Sequence, residues 1–136
     1  MKILIVDDDP KAINALKAGL TSFGYEVISA LGSLKALEVI DASVNWPTPL
    51  DLLITDLKMP EMNGLELIKA TRTVKPKFPA VLITAYGDES IQKSLGELGL
   101  CRYLEKPFGI GILLQIINEL SVKTPFMSVY AAKDNP

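Results

Sequence analysis

The chain has 136 residues, of which 49% are hydrophobic and 22% charged, a composition that fits one folded domain and excludes wholesale disorder. Acidic residues number 16 and basic residues 14, so the net charge of -2 offers no basic excess that would attract nucleic acid. The absence of histidine and the presence of a single cysteine exclude the commonest zinc sites and an internal disulfide.

The N-terminus opens with a short apolar run, residues 3–6, that ends in three aspartates. This run is too short for a signal peptide, and nowhere do about 18 apolar residues follow one another, as a membrane-spanning helix requires. We therefore expect a cytoplasmic protein that makes no contact with a membrane.

Short apolar runs alternate with helical patterns along the chain, which predicts five β/α units and a parallel sheet with helices on both faces. The predicted strands are residues 3–6, 25–29, 50–55, 80–84 and 101–105. The predicted helices are about residues 10–23, 33–42, 64–75, 88–98 and 109–122, and a tail without periodicity follows.

Two helix starts carry capping signals. Asp9 before Pro10 predicts an N-cap followed by proline in the first turn, and Ser33 is expected to cap the second helix. Apolar residues at helical spacing predict a buried stripe on the first helix, formed by Ile13, Leu16, Leu20 and Phe23.

Polar side chains stand where the predicted strands end. Asp7 and Asp8 follow the first strand, Asp56 follows the third, Thr84 ends the fourth and Lys106 follows the fifth. Because parallel strands end at the same edge of a sheet, these side chains project from one edge, where open α/β sheets bind ligands. A single acid at a strand end commonly only caps the next helix, but capping explains the whole set poorly. The pattern predicts a binding site.

Carboxylates that converge repel one another, by about 4 kcal/mol for a pair at about 4 Å and an effective dielectric constant of about 20. Either one acid stays protonated or a cation lies among them, and oxygen ligands without histidine or thiol favour Mg²⁺. A lysine and a hydroxyl across the site suit a phosphoryl group. Asp56 is the candidate nucleophile, because a carboxylate can form an acyl phosphate and Thr84 has no neighbouring base in the sequence.

Five motifs, in order and with matching spacing, resemble the receiver domain of bacterial two-component response regulators. They are residues 3–9 (ILIVDDD), 53–60 (LITDLKMP), 63–64 (NG), 82–86 (LITAY) and 103–108 (YLEKPF). The resemblance covers about residues 1–123 and leaves 124–136 as a C-terminal tail or truncated linker. It implies a doubly wound, flavodoxin-like α/β fold with five parallel strands in the order 2-1-3-4-5, which makes strands one and three neighbours.

The resemblance also implies roles for the acidic residues. Asp56 matches the phosphoacceptor, which takes a phosphoryl group from the phosphohistidine of a sensor histidine kinase or a phosphotransfer protein. Asp8, Asp56 and the main-chain carbonyl of Lys58 match the ligands of Mg²⁺, and Asp7 matches the acid that holds the ion through water.

The remaining matches concern the switch. Thr84 matches the hydroxyl that moves toward the phosphoryl group, and Lys106 matches the lysine that pairs with it, with a cis bond between Lys106 and Pro107. Tyr103 matches the aromatic side chain that swings inward when the hydroxyl moves. Tyr86 is expected near the mouth of the site, where its ring would hinder the water that removes the phosphoryl group.

The resemblance implies that the surface of the fourth helix, fifth strand and fifth helix changes on phosphorylation. In the last helix Leu113, Ile117 and Leu120 suffice for a core stripe, so Ile112, Ile116 and Leu114 leave surplus apolar surface. We expect this surface to meet a second copy of the chain or an output domain. The alternative is that the tail covers it with the apolar residues Phe126, Met127, Val129 and Tyr130.

These expectations together predict a phosphorelay switch, a regulatory phosphoacceptor with intrinsic phosphotransfer and autodephosphorylation rather than an enzyme acting on free substrate. One alternative is an aspartyl-phosphate phosphohydrolase, although Lys58 stands where such hydrolases carry a second acid. The other is a pseudo-receiver that docks partners without phosphorylation, although it would not need the intact set of acids, threonine and lysine. We expect no direct binding of nucleic acid by this chain.

Overall fold

In the computed structural model, which describes residues 1–85 and 87–121, five strands and five helices alternate along the chain. The strands are β1 (Lys2–Asp7), β2 (Glu26–Leu31), β3 (Leu52–Asp56), β4 (Ala80–Thr84) and β5 (Cys101–Glu105). The helices are α1 (Pro10–Ser22), α2 (Ser33–Ser43), α3 (Gly64–Val74), α4 (Glu89–Leu98) and α5 (Ile110–Ser121). All four strand pairings are parallel, in the order β2-β1-β3-β4-β5, which confirms the predicted doubly wound α/β fold. None of the described helices is long and apolar enough to cross a membrane.

Alternate residues of the central strands supply two separate core clusters, one on each face of the sheet. In β1, Leu4 and Val6 pack into the cluster that includes α2, α3 and α4, whereas Ile3 and Ile5 pack toward α1 and α5. These four side chains are at most 1% exposed, and burying one side chain of this type contributes about 1.5–3 kcal/mol. Burial on both faces explains why these strands are nearly continuous apolar runs.

The start of α1 confirms its prediction, and its end corrects one. Asp9 is the N-cap, and its Oδ1 accepts a hydrogen bond from the main-chain N–H of Lys11 at 3.0 Å. The prediction that Phe23 belongs to the buried stripe is wrong, because α1 ends at Ser22 and the Phe23 side chain is 58% exposed. Gly24 follows with φ = 91°, so the chain leaves the helix direction before Phe23 can reach the core.

The N-cap of α2 lies one residue earlier than predicted. Gly32, with φ = 86°, is the N-cap and makes no side-chain capping bond, so the prediction that Ser33 caps this helix is wrong. Ser33 is instead the first helical residue and is buried. Within the described residues its Oγ finds no hydrogen-bond partner. The physical reason is the positive φ at the turn out of β2, which favours glycine there and moves the helix boundary to Gly32.

The buried face of α5 is wider than predicted. Leu113 and Ile117 are buried as expected, but Ile116 is also only 5% exposed, so its assignment to surplus surface is wrong. Residues 113, 116 and 117 share one helical face, and that whole face lies on the sheet. Ile112, which is 50% exposed, and the half-buried Leu114 remain. The tail residues considered as a cover, and the domain boundary after residue 123, lie outside the described residues.

The edge at which the strands begin, here called the amino edge, is held by basic side chains that donate to main-chain carbonyls. Arg72, in the last turn of α3, reaches the residues that lead into β4 and β5. Its guanidinium donates to the carbonyl oxygens of Phe78 (2.8 Å), Leu98 (3.0 Å), Gly99 (2.8 Å) and Leu100 (3.4 Å) and to Cys101 Sγ (3.1 Å). One side chain therefore joins α3, α4 and β5.

Lys2 holds the loop that precedes β3. Its ammonium donates to the Thr48 carbonyl oxygen at 3.0 Å and to Thr48 Oγ1 at 2.7 Å, and it lies 5.0 Å from the centroid of the Trp46 ring. Its main-chain N–H donates to Asp51 Oδ2 at 2.8 Å. The start of β1 and the loop are therefore tied together by four contacts.

Candidate functional site at the carboxyl edge of the sheet

The ends of β1, β3, β4 and β5 bring the predicted site residues to one edge of the sheet, here called the carboxyl edge. Val6 pairs with Thr55, so Asp7 and Asp56 come next on neighbouring strands. Asp56 pairs with Ile83, which places Thr84 one residue further along β4. The main-chain N–H of Lys106 donates to the Thr84 carbonyl oxygen at 2.8 Å. The register alone therefore brings four of the predicted residues to adjacent positions.

Local sequence holds α3 closely behind Asp56. Asn63 caps α3, with its Oδ1 accepting from the Glu66 N–H and the Glu66 carboxylate accepting from the Asn63 N–H, both at 2.9 Å. Gly64 is buried, and a Cβ there would overlap the main-chain carbonyl oxygen of Asp56 and lie 2.7 Å from Leu82 Cδ1. Glycine at this position therefore permits α3 to approach the end of β3. The Asn-x-x-Glu spacing was a readable signal for this capping box.

Three carboxylates form the acidic part of the site. One carboxylate oxygen each from Asp7, Asp8 and Asp56 lies within 4.8 Å of the others. Asp7 is 9% exposed and Asp8 is exposed, while the Asp56 side chain is 14% exposed. Their donors are all oxygen, which fits Mg²⁺.

Burial raises the pKa of the Asp7 carboxyl above its usual value of 3.8, and the charge of Asp56 and a hydrogen bond with Asp8 act in the same direction. The main-chain N–H of Asp9, which donates to Asp7 Oδ1 at 3.0 Å, and the charge of Lys106 act against this increase in pKa. The site therefore holds negative charge at an electrostatic cost.

The ammonium group of Lys106 faces the carboxylates. Lys106 Nζ lies 3.1 Å from Asp56 Oδ1, and its side chain is 41% exposed. The bond between Lys106 and Pro107 is cis, which confirms that prediction. Thr84, at the end of β4, is 3% exposed. The arrangement joins an accessible carboxylate with an ammonium group, as capture of a phosphoryl dianion requires.

Tyr103 lies beside this site on β5, on the face that packs toward α4. Its hydroxyl donates to Glu105 Oε2 at 2.8 Å, and Glu105 is exposed. Burial raises the pKa of the Tyr103 phenol, and the neighbouring Glu105 and Asp88 carboxylates raise it further. The hydroxyl end of the ring is therefore held at the surface. Sequence reasoning missed this hydrogen bond between Tyr103 and Glu105, because no local pattern indicates it.

Two other predicted residues have different outcomes. Lys58 lies in the loop after β3, two residues beyond Asp56, with an exposed side chain. Tyr86, expected at the mouth of the site, lies outside the described residues.

A cleft of about 290 Å³ beside α1 and α5 includes Asp7, Asp56 and Lys106 in its lining. A larger groove, of about 950 Å³, lies at the amino edge and contains none of the predicted site residues.

Comparison with protein families agrees with this geometry. The model of the family described as the response regulator receiver domain matches residues 3–118. The transcriptional regulatory protein CpxR of Escherichia coli is 41% identical over 108 residues, which cover 79% of this chain and 43% of CpxR. The chain thus spans less than half the length of that curated relative.

Solved structures give the same result. The response regulator receiver domain protein from Clostridium thermocellum aligns with a TM-score of 0.80 and 28% identity, over 88% of this chain and 92% of that one. The response regulator protein TrrA from Thermotoga maritima, solved in complex with Mg²⁺ and beryllofluoride, aligns with a TM-score of 0.74 and 30% identity. That alignment covers 88% of this chain and 97% of TrrA.

Proposed function

The chain belongs to the response regulator receiver domain family, and from that premise we propose that Asp56 accepts a phosphoryl group in a Mg²⁺-dependent reaction. The carrying observation is the position of Lys106 Nζ, 3.1 Å from an Asp56 oxygen that lies among three carboxylates. A phosphoryl group on Asp56 would meet that ammonium directly. The donor is a phosphohistidine on a sensor histidine kinase or a phosphotransfer protein.

The metal set is the one that membership of the receiver family implies. Asp8, Asp56 and the Lys58 main-chain carbonyl would hold Mg²⁺, with Asp7 holding it through water. When bound, the ion would supply positive charge that neutralises the phosphoryl oxygens. The cluster of Asp7, Asp8 and Asp56 oxygens within 4.8 Å supports this set.

In the transfer step, an Asp56 carboxylate oxygen forms a bond to phosphorus while the bond from phosphorus to the donor imidazole nitrogen breaks. The electron pair of that bond stays on the imidazole, and the product is an acyl phosphate. Lys106 forms an ion pair with the oxygens of the transferred phosphoryl group, and the Thr84 hydroxyl donates a hydrogen bond to one of them. Water then attacks phosphorus, the bond from phosphorus to the Asp56 oxygen breaks, and its electron pair returns to the carboxylate. Release of inorganic phosphate in this intrinsic autodephosphorylation resets the switch.

A small phosphodonor tests the assignment of Asp56. Incubation with acetyl phosphate and Mg²⁺, read out by intact mass and borohydride trapping, should label the wild-type chain once and leave Asp56→Asn unlabelled. Asp41→Asn is the matched control, because Asp41 is an exposed carboxylate on α2 outside the acidic cluster. Labelling that survives in Asp56→Asn would show another acceptor, and labelling that survives chelation of Mg²⁺ would contradict the metal set.

For the output, we propose that phosphorylation changes the surface of α4, β5 and α5, which contacts a second copy of the chain or an output domain. Exposed Ile112 and half-buried Leu114 support contact at α5. Sedimentation with and without beryllofluoride tests the dimer. A monomer under both conditions leaves only the output-domain version.

The extent and setting of the domain remain part of the proposal. Residues 1–123 form the receiver, and 124–136 are a tail or linker. We place the chain in the cytoplasm, because CpxR, one of its curated relatives, is named as a transcriptional regulatory protein, and such proteins work where DNA lies. A phosphohydrolase is disfavoured by Lys58 in place of a second acid. A docking module without phosphorylation is disfavoured by the complete set of site residues.

A further inference from the structure

Gly87 lies in the loop between β4 and α4, directly under the ring of Tyr103. A Cβ at position 87 would overlap the hydroxyl oxygen and Cζ of Tyr103 and would lie 2.7 Å from Cε2. The observed ring position therefore exists only because residue 87 has no side chain. Real Cβ atoms do not approach other heavy atoms this closely, so an added methyl must displace the ring or the loop.

Backbone conformation does not explain glycine at this position. Among the described glycines, those with positive φ are Gly24, Gly32 and Gly99, and Gly87 is not one of them. A left-handed backbone therefore does not require glycine at position 87, and the steric demand that the structure shows there comes from the ring. Gly111 offers the contrast, because a Cβ there would meet open space.

The ring that Gly87 admits connects β5 with the loop before α4 and with α4 itself. Tyr103 belongs to β5, its hydroxyl donates to Glu105 at 2.8 Å, and its aromatic body packs with the α4 side of the core. Asp88, the residue after Gly87, is the N-cap of α4 and accepts from the Ile91 N–H at 2.8 Å. Displacing the ring would therefore act on the start of α4 as well as on β5.

We propose that Gly87 is a positioning residue. It leaves the space that Tyr103 needs in its surface position, where Glu105 binds the hydroxyl, and so sets the equilibrium between the surface and inward positions of the ring. This inference rests on the proposed function, in which Tyr103 moves inward when Thr84 binds the phosphoryl group. The surface position opposes that movement. A side chain at residue 87 removes the surface position and favours the phosphorylated arrangement.

The first test observes the ring and does not depend on phosphorylation. Spectra of the wild type, Gly87→Ala and Gly111→Ala are compared by NMR with ring-labelled tyrosine, and the Tyr103 signal is identified by its loss in Tyr103→Ala. We expect that signal to move in Gly87→Ala and to stay in place in Gly111→Ala. An unmoved signal in Gly87→Ala would overturn the inference.

The second test measures binding of beryllofluoride with Mg²⁺. Gly87→Ala should bind about two- to tenfold more tightly than the wild type, whereas the same substitution in a Tyr103→Ala background should change nothing. Equal changes in both backgrounds, or weaker binding in the presence of Tyr103, would contradict the inference. If Gly87→Ala fails to fold, folding of the double variant supports the steric conflict, and failure of both overturns it.

The two tests separate this inference from the proposed function. A wild-type chain that neither binds beryllofluoride nor is labelled by acetyl phosphate would overturn the proposed function, and with it the role of Gly87 in the switch. The ring spectra would still show whether Gly87 controls the position of the Tyr103 ring. A labelled wild type with unchanged affinity in Gly87→Ala would end only the inference.

Discussion

The two edges of the sheet use charge in opposite ways. At the amino edge, Arg72 and Lys2 donate to carbonyl oxygens and a hydroxyl, each within 3.0 Å for its closest contacts. At the carboxyl edge, Asp7, Asp8 and Asp56 face one another, and Lys106 forms an ion pair with Asp56. The amino edge therefore joins donors to acceptors, whereas the carboxyl edge brings like charges together.

The difference shows where the fold gains stability and where it gives stability up. Donors matched to acceptors lower the free energy of the folded state, while converging carboxylates raise it until a cation or a proton neutralises them. A binding site for a divalent cation needs that unneutralised negative charge, and a phosphoryl group needs the cation. In the absence of a bound cation, substitutions that remove charge should consequently lower the free energy of unfolding at the amino edge and raise it at the carboxyl edge.

The largest effect is expected at Arg72. Arg72→Met removes the donors from four carbonyl oxygens and should lower the free energy of unfolding by about 3 kcal/mol, measured by urea denaturation. Arg102→Met is the matched control, because Arg102 pairs with Glu119 near the surface and should cost less than about 1 kcal/mol. Equal losses of unfolding free energy in the two variants would mean that Arg72 stabilises the fold no more than a surface ion pair does.

The same residue shows where prediction from sequence stops. The strand ends can be read from apolar runs, and these suffice to place Asp7, Asp56 and Thr84 at one edge of the sheet. Arg72 reaches carbonyls 26 to 28 residues away, and no periodic pattern records such a contact. The close contact between the Tyr103 ring and Gly87 cannot be predicted from sequence for the same reason, since it depends on how β5 and the loop after β4 meet.

Errors in predicting which helical residues are buried have a different physical cause. Phe23 continues the apolar spacing of α1, but the spacing says nothing about where the helix ends. The spacing assigns Ile116 to the surface because Leu113, Ile117 and Leu120 already form a stripe, whereas the sheet buries residues 113, 116 and 117. Local patterns identify the elements, and the width of the partner surface decides how much of each is buried.

Mg²⁺ should reverse the cost at the carboxyl edge. At a free concentration ten times its dissociation constant, the ion should raise the free energy of unfolding by about 1.4 kcal/mol, through binding to the folded state alone. Thermal unfolding with and without Mg²⁺ measures this gain. Asp8→Asn should lose most of the gain and Asp41→Asn should keep it. A gain of the same size in Asp8→Asn would place the ion elsewhere.

Asp7 should show the cost of the site through pH. Because its folded pKa lies above the usual value of 3.8, its contribution to stability is complete below pH 3.8 and is lost as the pH rises through the folded pKa. In buffer free of Mg²⁺, Asp7→Asn should therefore gain on the wild type across that window and be about 1 kcal/mol more stable at pH 7. Asparagine keeps the Oδ1 that accepts from the Asp9 N–H, so a loss of stability at pH 7 would contradict the comparison.

The smallest effect is expected at Lys2, where the amino edge meets the loop before β3. Lys2→Met keeps the apolar stem and the main-chain bond to Asp51 but removes the ammonium from Thr48 and from the Trp46 ring, which should cost about 0.5–1 kcal/mol. Trp46 is the single tryptophan, so its fluorescence reports the loop directly and should shift to the red in this variant. Lys35→Met, at an exposed position on α2, should change neither quantity. A red shift without a loss of stability would show that Lys2 orders the loop alone, and that Arg72 accounts for the stability of the amino edge.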